Sequence, residues 1–417
     1  MIQPTKQLSI KANMLWNSVG SLFNMVCQWA ITVLIVRLSD TYDAAGVYSL
    51  AMSVYTTFSQ VAQYRTYTVQ VSDVNGEYSP GEYLGFRALT GFGAFLLALG
   101  YSLVTCRLSA VPAIALYFLY RFAGLLIDVL HASDQLSHRM DYIGKSLILQ
   151  GVASAGVFIA CFGLTGNLEL TLGLMAAATL LVGVVYDYPR ASSLVDIKFE
   201  IKWNRAKNLL IHCAPIVVAG IAASASPSIP RQYLSSVMGD SALGVYASVA
   251  APVAIIQMGA SYIYNPLLSY LSTFYAGKDR AGFFRLLVTT FVGIAVLGVA
   301  CAIGLELLGP WLLSLVYGES ILAYLYLLQP LVLCAVITGL TWFINDLLIA
   351  LRGFKATLVG SLVGLGTALL VMAPAQTVFG LNGVTVTNIA SGLVSSGFMM
   401  ACLAHRIRGH FCPDEVQ

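Results

Sequence analysis

Runs of twenty or more residues without a single charge recur along this chain, at 12–36, 286–305 and 320–345 among others. About 20 residues of helix cross the hydrocarbon core of a bilayer. In that core the chain must satisfy its own backbone hydrogen bonds, so such runs fold as helices or as closed barrels. The alternating ten-residue pattern of an outer-membrane barrel is absent. The chain is 58% hydrophobic and 10% charged, against about 25% charged in soluble domains. So few charges do not cover a water-facing surface for 417 residues. The expected class is an all-α polytopic membrane protein.

Twelve spans are expected, over roughly 13–36, 43–68, 83–105, 110–131, 143–163, 168–186, 209–238, 241–270, 283–303, 321–350, 355–377 and 381–404. With the N-terminus inside, 17 of the 22 Lys and Arg fall in inner segments, and only Arg37 and Arg107 in outer loops. The bias toward basic inner loops then puts both termini in the cytoplasm. No cleavable signal peptide is expected, because the first apolar run is too long for one. The stretch 304–323 is short and broken by Gly304, Gly309 and Pro310. It reads as a helix break or a shallow interfacial piece.

The chain also repeats itself. Residues 44–89 match the segment 198 positions later at nine places, including Gly46-Val47-Tyr48 with Gly244-Val245-Tyr246 and Phe86-Arg87 with Phe284-Arg285. Composition alone gives about three. The longest internal polar stretch, 187–208, lies at the midpoint. Six spans on each side give two parallel six-helix bundles, 1–203 and 204–417. That is the plan of a transporter that holds substrate between its halves and rocks one against the other.

Charges inside spans are costly and mark function by default. Arg65, Arg121 and Arg231 are the candidates for substrate binding. Arg121 lies midway along its span, and Arg231 follows Pro227 and Pro230, which predict a broken helix. A guanidinium fork suits phosphate, so the functional reading is a cationic cavity for a phosphorylated, partly lipidic ligand. The bland reading is arginines paired to carboxylates or snorkelling to the headgroups. Asp128 and Asp346, near inner helix ends, carry two readings: coupling to a proton or cation, or neutralising nearby basic loops. His131, Asp134, His138 and Asp141 have metal-like spacing, but a solvated polar face is the preferred reading. The eight cysteines are scattered without a C-x-x-C pair and read as small core residues. No metal or cofactor is expected.

Several segments resemble a known family. Asn13-Met14-Leu15-Trp16-Asn17-Ser18-Val19-Gly20-Ser21, Val36-Arg37-Leu38 and Ala45-Gly46-Val47-Tyr48-Ser49-Leu50-Ala51 look like the opening of O-antigen and capsular polysaccharide repeat-unit flippases. Tyr67-Thr68-Val69-Gln70-Val71-Ser72-Asp73-Val74 and Arg139-Met140-Asp141-Tyr142-Ile143-Gly144-Lys145-Ser146 look like their first two inner loops. Gly309-Pro310-Trp311 through Gly318 resembles a segment shared across the multidrug/oligosaccharidyl-lipid/polysaccharide (MOP) exporter superfamily. The resemblance implies a MATE-like fold in the bacterial inner membrane. It implies flipping of an undecaprenyl-diphosphate-linked oligosaccharide to the periplasmic leaflet. Polymerase and chain-length proteins of the same pathway are the implied partners besides the lipid; nucleic acid is not one. Family members often carry an acidic residue one turn before the fourth-span aspartate. Gly124 stands there in this chain, which puts a carboxylate-coupled step in doubt.

Two other readings fit a chain of this class. A drug or cation antiporter of the same fold would favour acidic and aromatic residues in the first bundle, whereas arginines lie deep here. A membrane polysaccharide polymerase or ligase would need a substantial outer loop, and the outer loops are short. The chain is therefore expected not to be an enzyme.

Overall fold

The computed structural model describes residues 8–73 and 75–411. Lys6 of the inner basic set, Val74 of the first-loop segment and Cys412 lie outside the described residues. All regular structure among the described residues is helical.

The first half of the chain runs α1 Ile10–Arg37, α2 Asp43–Gln63, the short α3 Thr66–Ser72, α4 Pro80–Thr105, α5 Val111–Leu136, α6 Met140–Val157 and α7 Leu168–Val182. Helix α6 continues through a π-helical turn to Thr165, and α7 in the same way to Leu194. The second half runs α8 Trp203–Met238, α9 Asp240–Ala276, α10 Arg280–Tyr317, a 3-10 segment Glu319–Leu327, α11 Leu328–Ala350, α12 Phe354–Phe379 and α13 Asn382–Phe411. Eleven of the helical segments are long and apolar enough to cross a membrane. Helix α2 is the twelfth long helix. It is not among those eleven, and twelve of its 21 residues are buried in protein. The protein is a multi-pass membrane protein.

Local sequence explains the helix ends. Ser79 caps α4: its hydroxyl accepts from the Glu82 amide, and the Glu82 carboxylate accepts from the Ser79 amide. Pro80 adds a φ already suited to the first helical turn. Asp279 caps α10 by accepting from the Gly282 amide at 2.9 Å. Helix α2 ends where Tyr64 and Arg65 both turn left-handed, with φ of 40° and 55°. The expected span 43–68 therefore stops at Gln63. Close packing needs glycine where α1 meets α6: a Cβ on Gly20 would lie 2.5 Å from the Gly144 Cα.

One expected break is absent and the other falls later than Pro310. In the stretch 304–323, α10 runs through Gly304 and Pro310 to Tyr317 and ends at Gly318, where φ is 94°, before the 3-10 segment begins. At 38 residues α10 is about 57 Å long, well beyond the ~30 Å hydrocarbon core. Helix α8 likewise continues through Pro227 and Pro230. The Gln376 amide of α12 donates to the Pro230 carbonyl at 2.8 Å and ties the two helices together beside the prolines.

The residues fall into two compact units, Met1–Val217 and Val218–Gln417. The first turns of α8 count with unit 1 because Ala206 and Leu209 sit in one apolar cluster with Tyr83, Phe86 and Val129. The segment ahead of α8 is clamped to α4. Buried Glu82 takes Lys202 at 3.1 Å and Arg205 at 3.0 Å, and a Cβ on Gly81 would collide with the Lys198 carbonyl.

Candidate functional site

Arg121 stands in the middle of α5, flanked by an otherwise apolar sequence. Helical spacing puts Tyr117 on its face, Tyr120 precedes it directly, and α2 contributes Tyr48 and Tyr55. The Tyr117 ring meets Tyr48 edge-on at 5.3 Å and Tyr55 at 6.0 Å. The guanidinium carbon lies 5.5 Å from the centre of the Tyr55 ring and 6.0 Å from that of Tyr120, the outer reach of a cation–π contact. The Tyr120 hydroxyl is engaged elsewhere: it accepts from Gln28 at 2.7 Å and donates to Ser154 at 3.2 Å. Among the described residues no carboxylate pairs with Arg121, and its buried Nε has no hydrogen-bond partner. The result is a positive charge held by ring faces, with its fork unclaimed.

Arg231 is the counterpart in unit 2. It has no ion pair among the described residues, and its Nε is also buried and unpartnered. Tyr246 and Cys334 are its near neighbours. The Tyr246 hydroxyl accepts from Thr385 at 3.2 Å. The buried side-chain oxygens of Gln376, Asn382 and Asn388 lack partners. Arg121 thus sits among tyrosines, and Arg231 in a unit rich in hydroxyls and amides.

The other candidates are placed differently. Arg65 is exposed at the left-handed turn after α2, not inside the span; its close neighbour is Cys213. Asp128 does not meet Arg121. It pairs at 3.2 Å with Arg87, which is fully buried and also donates to the Gln63 carbonyl at 2.7 Å. Asp346 accepts from the Tyr264 hydroxyl at 2.9 Å. The structure therefore places both aspartates in bonded settings, Asp128 two turns before the end of α5 and Asp346 in the last turns of α11.

The solvated face expected at His131, Asp134, His138 and Asp141 is not what forms. His131, Asp134 and Asp141 are buried, and only His138 is exposed. His131 bonds Asp187 at 3.1 Å, and Asp187 accepts from Ser146 at 2.9 Å. Asp141 takes Arg139 and Lys145. The burial comes from the far end of α7, whose Asp187 lies 56 residues beyond His131 in sequence. Among the described residues no group of three His, Cys, Asp or Glu side chains is arranged to hold a metal.

Sequence reasoning left the tyrosines unassigned. Two signals pointed to them: the i, i+3, i+4 set Tyr117, Tyr120 and Arg121, and the seven-residue spacing of Tyr48 and Tyr55 on one face of α2. An open groove of about 980 Å³ lies at the α11–α12 turn beside Arg352, Lys355 and Arg406 and involves neither arginine of the candidate site.

No family model matches the chain. It is 24% identical over 311 residues to the capsular polysaccharide biosynthesis protein CapF of Staphylococcus aureus, covering 72% of this chain and 76% of that one. Among solved structures it is similar to the lipid II flippase MurJ in an inward closed conformation, with a TM-score of 0.73, 10% identity, and 94% and 87% of the two chains covered. It is also similar to an inward-facing multidrug-resistance MATE transporter of the MOP superfamily, with a TM-score of 0.69, 14% identity, and 95% and 98% covered. The chain therefore has the all-helical fold of the MOP superfamily transporters, as its sequence motifs implied.

Proposed function

We propose that this protein flips an undecaprenyl-diphosphate-linked oligosaccharide from the cytoplasmic to the periplasmic leaflet of the inner membrane, by alternating access, for surface polysaccharide synthesis. Both termini are then cytoplasmic, and the polymerase of the same pathway consumes the product. The observation that carries this reading is Arg121, an intramembrane guanidinium with no carboxylate partner among the described residues. Such a charge is expensive unless a ligand supplies the counter-charge, and a diphosphate does so through two parallel hydrogen bonds. Arg231 repeats the arrangement in unit 2. The similarity to a capsular polysaccharide protein and to a lipid II flippase supports the same substrate class. A cation antiporter of this fold is disfavoured, because two uncompensated arginines repel its substrate.

The test is flipping in proteoliposomes, together with the fate of lipid-linked repeat units in a deletion strain. Deletion should abolish surface polysaccharide and trap normal lipid-linked units on the cytoplasmic leaflet. Arg121→Ala should slow flipping by at least about tenfold, since a charged hydrogen bond contributes roughly 1.5–3 kcal/mol; Arg121→Lys should recover only part, lacking the fork. Unchanged flipping in both Arg121→Ala and Arg231→Ala at equal protein levels would sink the site. Export of a cationic dye by the wild-type protein, with no flipping, would favour the antiporter.

A further inference from the structure

Unit 2 contains a half-open pocket of about 110 Å³ lined by α8, α11, α12 and α13. Of its fourteen lining residues, eight carry a hydroxyl or a side-chain amide and none carries a charge. Polar groups of this density inside an apolar bundle must either satisfy one another or await a polar occupant.

Part of the polarity is structural. Ser391 donates to the Gly364 carbonyl and Ser395 to the Gly360 carbonyl, both at 2.8 Å, tying α13 to α12. That accounting leaves a surplus of acceptors. Because the Ser391 proton is spent on Gly364, Ser226 must be the donor in their 2.6 Å contact, so the Ser226 oxygen keeps its lone pairs. Thr341 gives its proton to the Ile337 carbonyl and so accepts from Ser396. The Asn388 Oδ1 is buried without any donor. Trp342, 44% exposed, adds a flat indole to the lining. An occupant must bring hydroxyl donors, no charge and an apolar face for the indole. That is the chemistry of a pyranose ring, whose C–H face packs on aromatic groups while its hydroxyls donate.

Position ties the pocket to the arginine. Ala223 and Pro227 line it, and Arg231 follows on the same face of α8, one turn and about 6 Å further along. We infer that this pocket binds the sugar nearest the phosphate of the lipid-linked glycan, with Asn388 and Trp342 as specificity-determining residues and Arg231 holding the adjoining phosphate. The inference rests on the flippase reading and assigns to unit 2 the recognition of uncharged sugar. A cation is a poor occupant despite the acceptors, because the Arg231 charge stands one turn away.

The test compares two probes on the purified full-length protein. One is the polyprenyl-diphosphate glycan extracted from the source bacterium after deletion of the gene; the other is undecaprenyl diphosphate without sugar. Asn388→Val and Trp342→Ala should each weaken binding of the glycosylated lipid at least about tenfold and leave the bare lipid within about twofold. Arg231→Gln should weaken both. Melting temperatures near wild type establish that the variants are folded, and the two pocket variants check each other. Unchanged glycolipid binding in both pocket variants, or an equal loss for both lipids, overturns the pocket while leaving the flippase reading intact. Failure of the wild-type protein to bind either lipid overturns the flippase reading itself.

Discussion

The basic ends of the two units start from matching sequence and settle into different chemistry. In unit 1, Arg87 is buried, paired with Asp128 and bonded to the carbonyl that ends α2. In unit 2 the repeat counterpart Arg285 is exposed and has no ion pair among the described residues. The aspartate there, Asp346, accepts from a tyrosine instead. The helices nearby differ in the same sense. Helix α2 stops at Gln63, whereas α9 runs on through Tyr262 and Tyr264 to Ala276. Where α2 stops, its last carbonyls need donors, and Arg87 supplies them. Where α9 continues, those carbonyls are already bonded in the helix, and the arginine is released to the surface. Sequence symmetry thus locates helices, while the partner of each charge follows from where a helix ends.

The largest expected effect breaks the pair in unit 1. Arg87→Ala leaves the partly exposed Asp128 and the α2 carbonyls without their donor and should destabilise the protein by about 1.5–3 kcal/mol, the range for a charged hydrogen bond. Arg285→Ala should stay within about 0.5 kcal/mol. Unfolding of the detergent-solubilised protein measures both, and equal losses would show that the two ends are equivalent after all. A smaller effect is expected in unit 2. Tyr264→Phe removes one hydrogen bond to Asp346 and should cost about 1 kcal/mol; no change would mean that the tyrosine is incidental to that end.

The smallest effect concerns the loop that leads into α4. Burial alone would raise the Asp73 carboxyl, but the Tyr78 and Glu77 amides and the Tyr83 hydroxyl outweigh it and hold it below the usual carboxylate value. Its contribution is therefore complete above the unfolded value near 3.9 and fades as pH falls through the lower folded one. The group is half-buried, so the contribution is on the order of 1 kcal/mol or less. At pH 6, Asp73→Asn should speed hydrogen exchange at the Glu77 and Tyr78 amides, with the α10 start at Asp279 unaffected. Equal protection in variant and wild type would count against this account.

The parts of this molecule that were legible in the sequence are those set by single elements. The place of Arg121 midway along α5 was legible because one charge in an apolar run marks its own depth in the span. The number of long helices was legible because bilayer thickness fixes their length. Three features were not. The break expected before Arg231 did not form, since packed membrane helices tolerate proline, and the one expected within 304–323 falls at Gly318 rather than at its proline. The buried state of His131 and Asp134 depends on Asp187, a partner on a different helix that spacing along α5 does not reveal. The tyrosines around Arg121 come from α2 and α5 together, so no single helix displays the set.

Arg121 also bears on how the chain enters the membrane. An arginine at the centre of a helix opposes insertion by about 2.5–3.5 kcal/mol, against about 0.3–0.6 kcal/mol in favour for each Leu, Ile, Phe or Val. Around Arg121, α5 offers Leu116, Phe118, Leu119, Phe122, Leu125, Leu126 and Ile127, which together roughly offset that opposition. The neighbouring α4 has only Glu82 and Arg87, both in its first two turns, and enters with a wide margin. Helix α5 is therefore a weak point of biogenesis. It gains from entering beside helices already in place, and α2, which brings two of the four tyrosines, leaves the ribosome first.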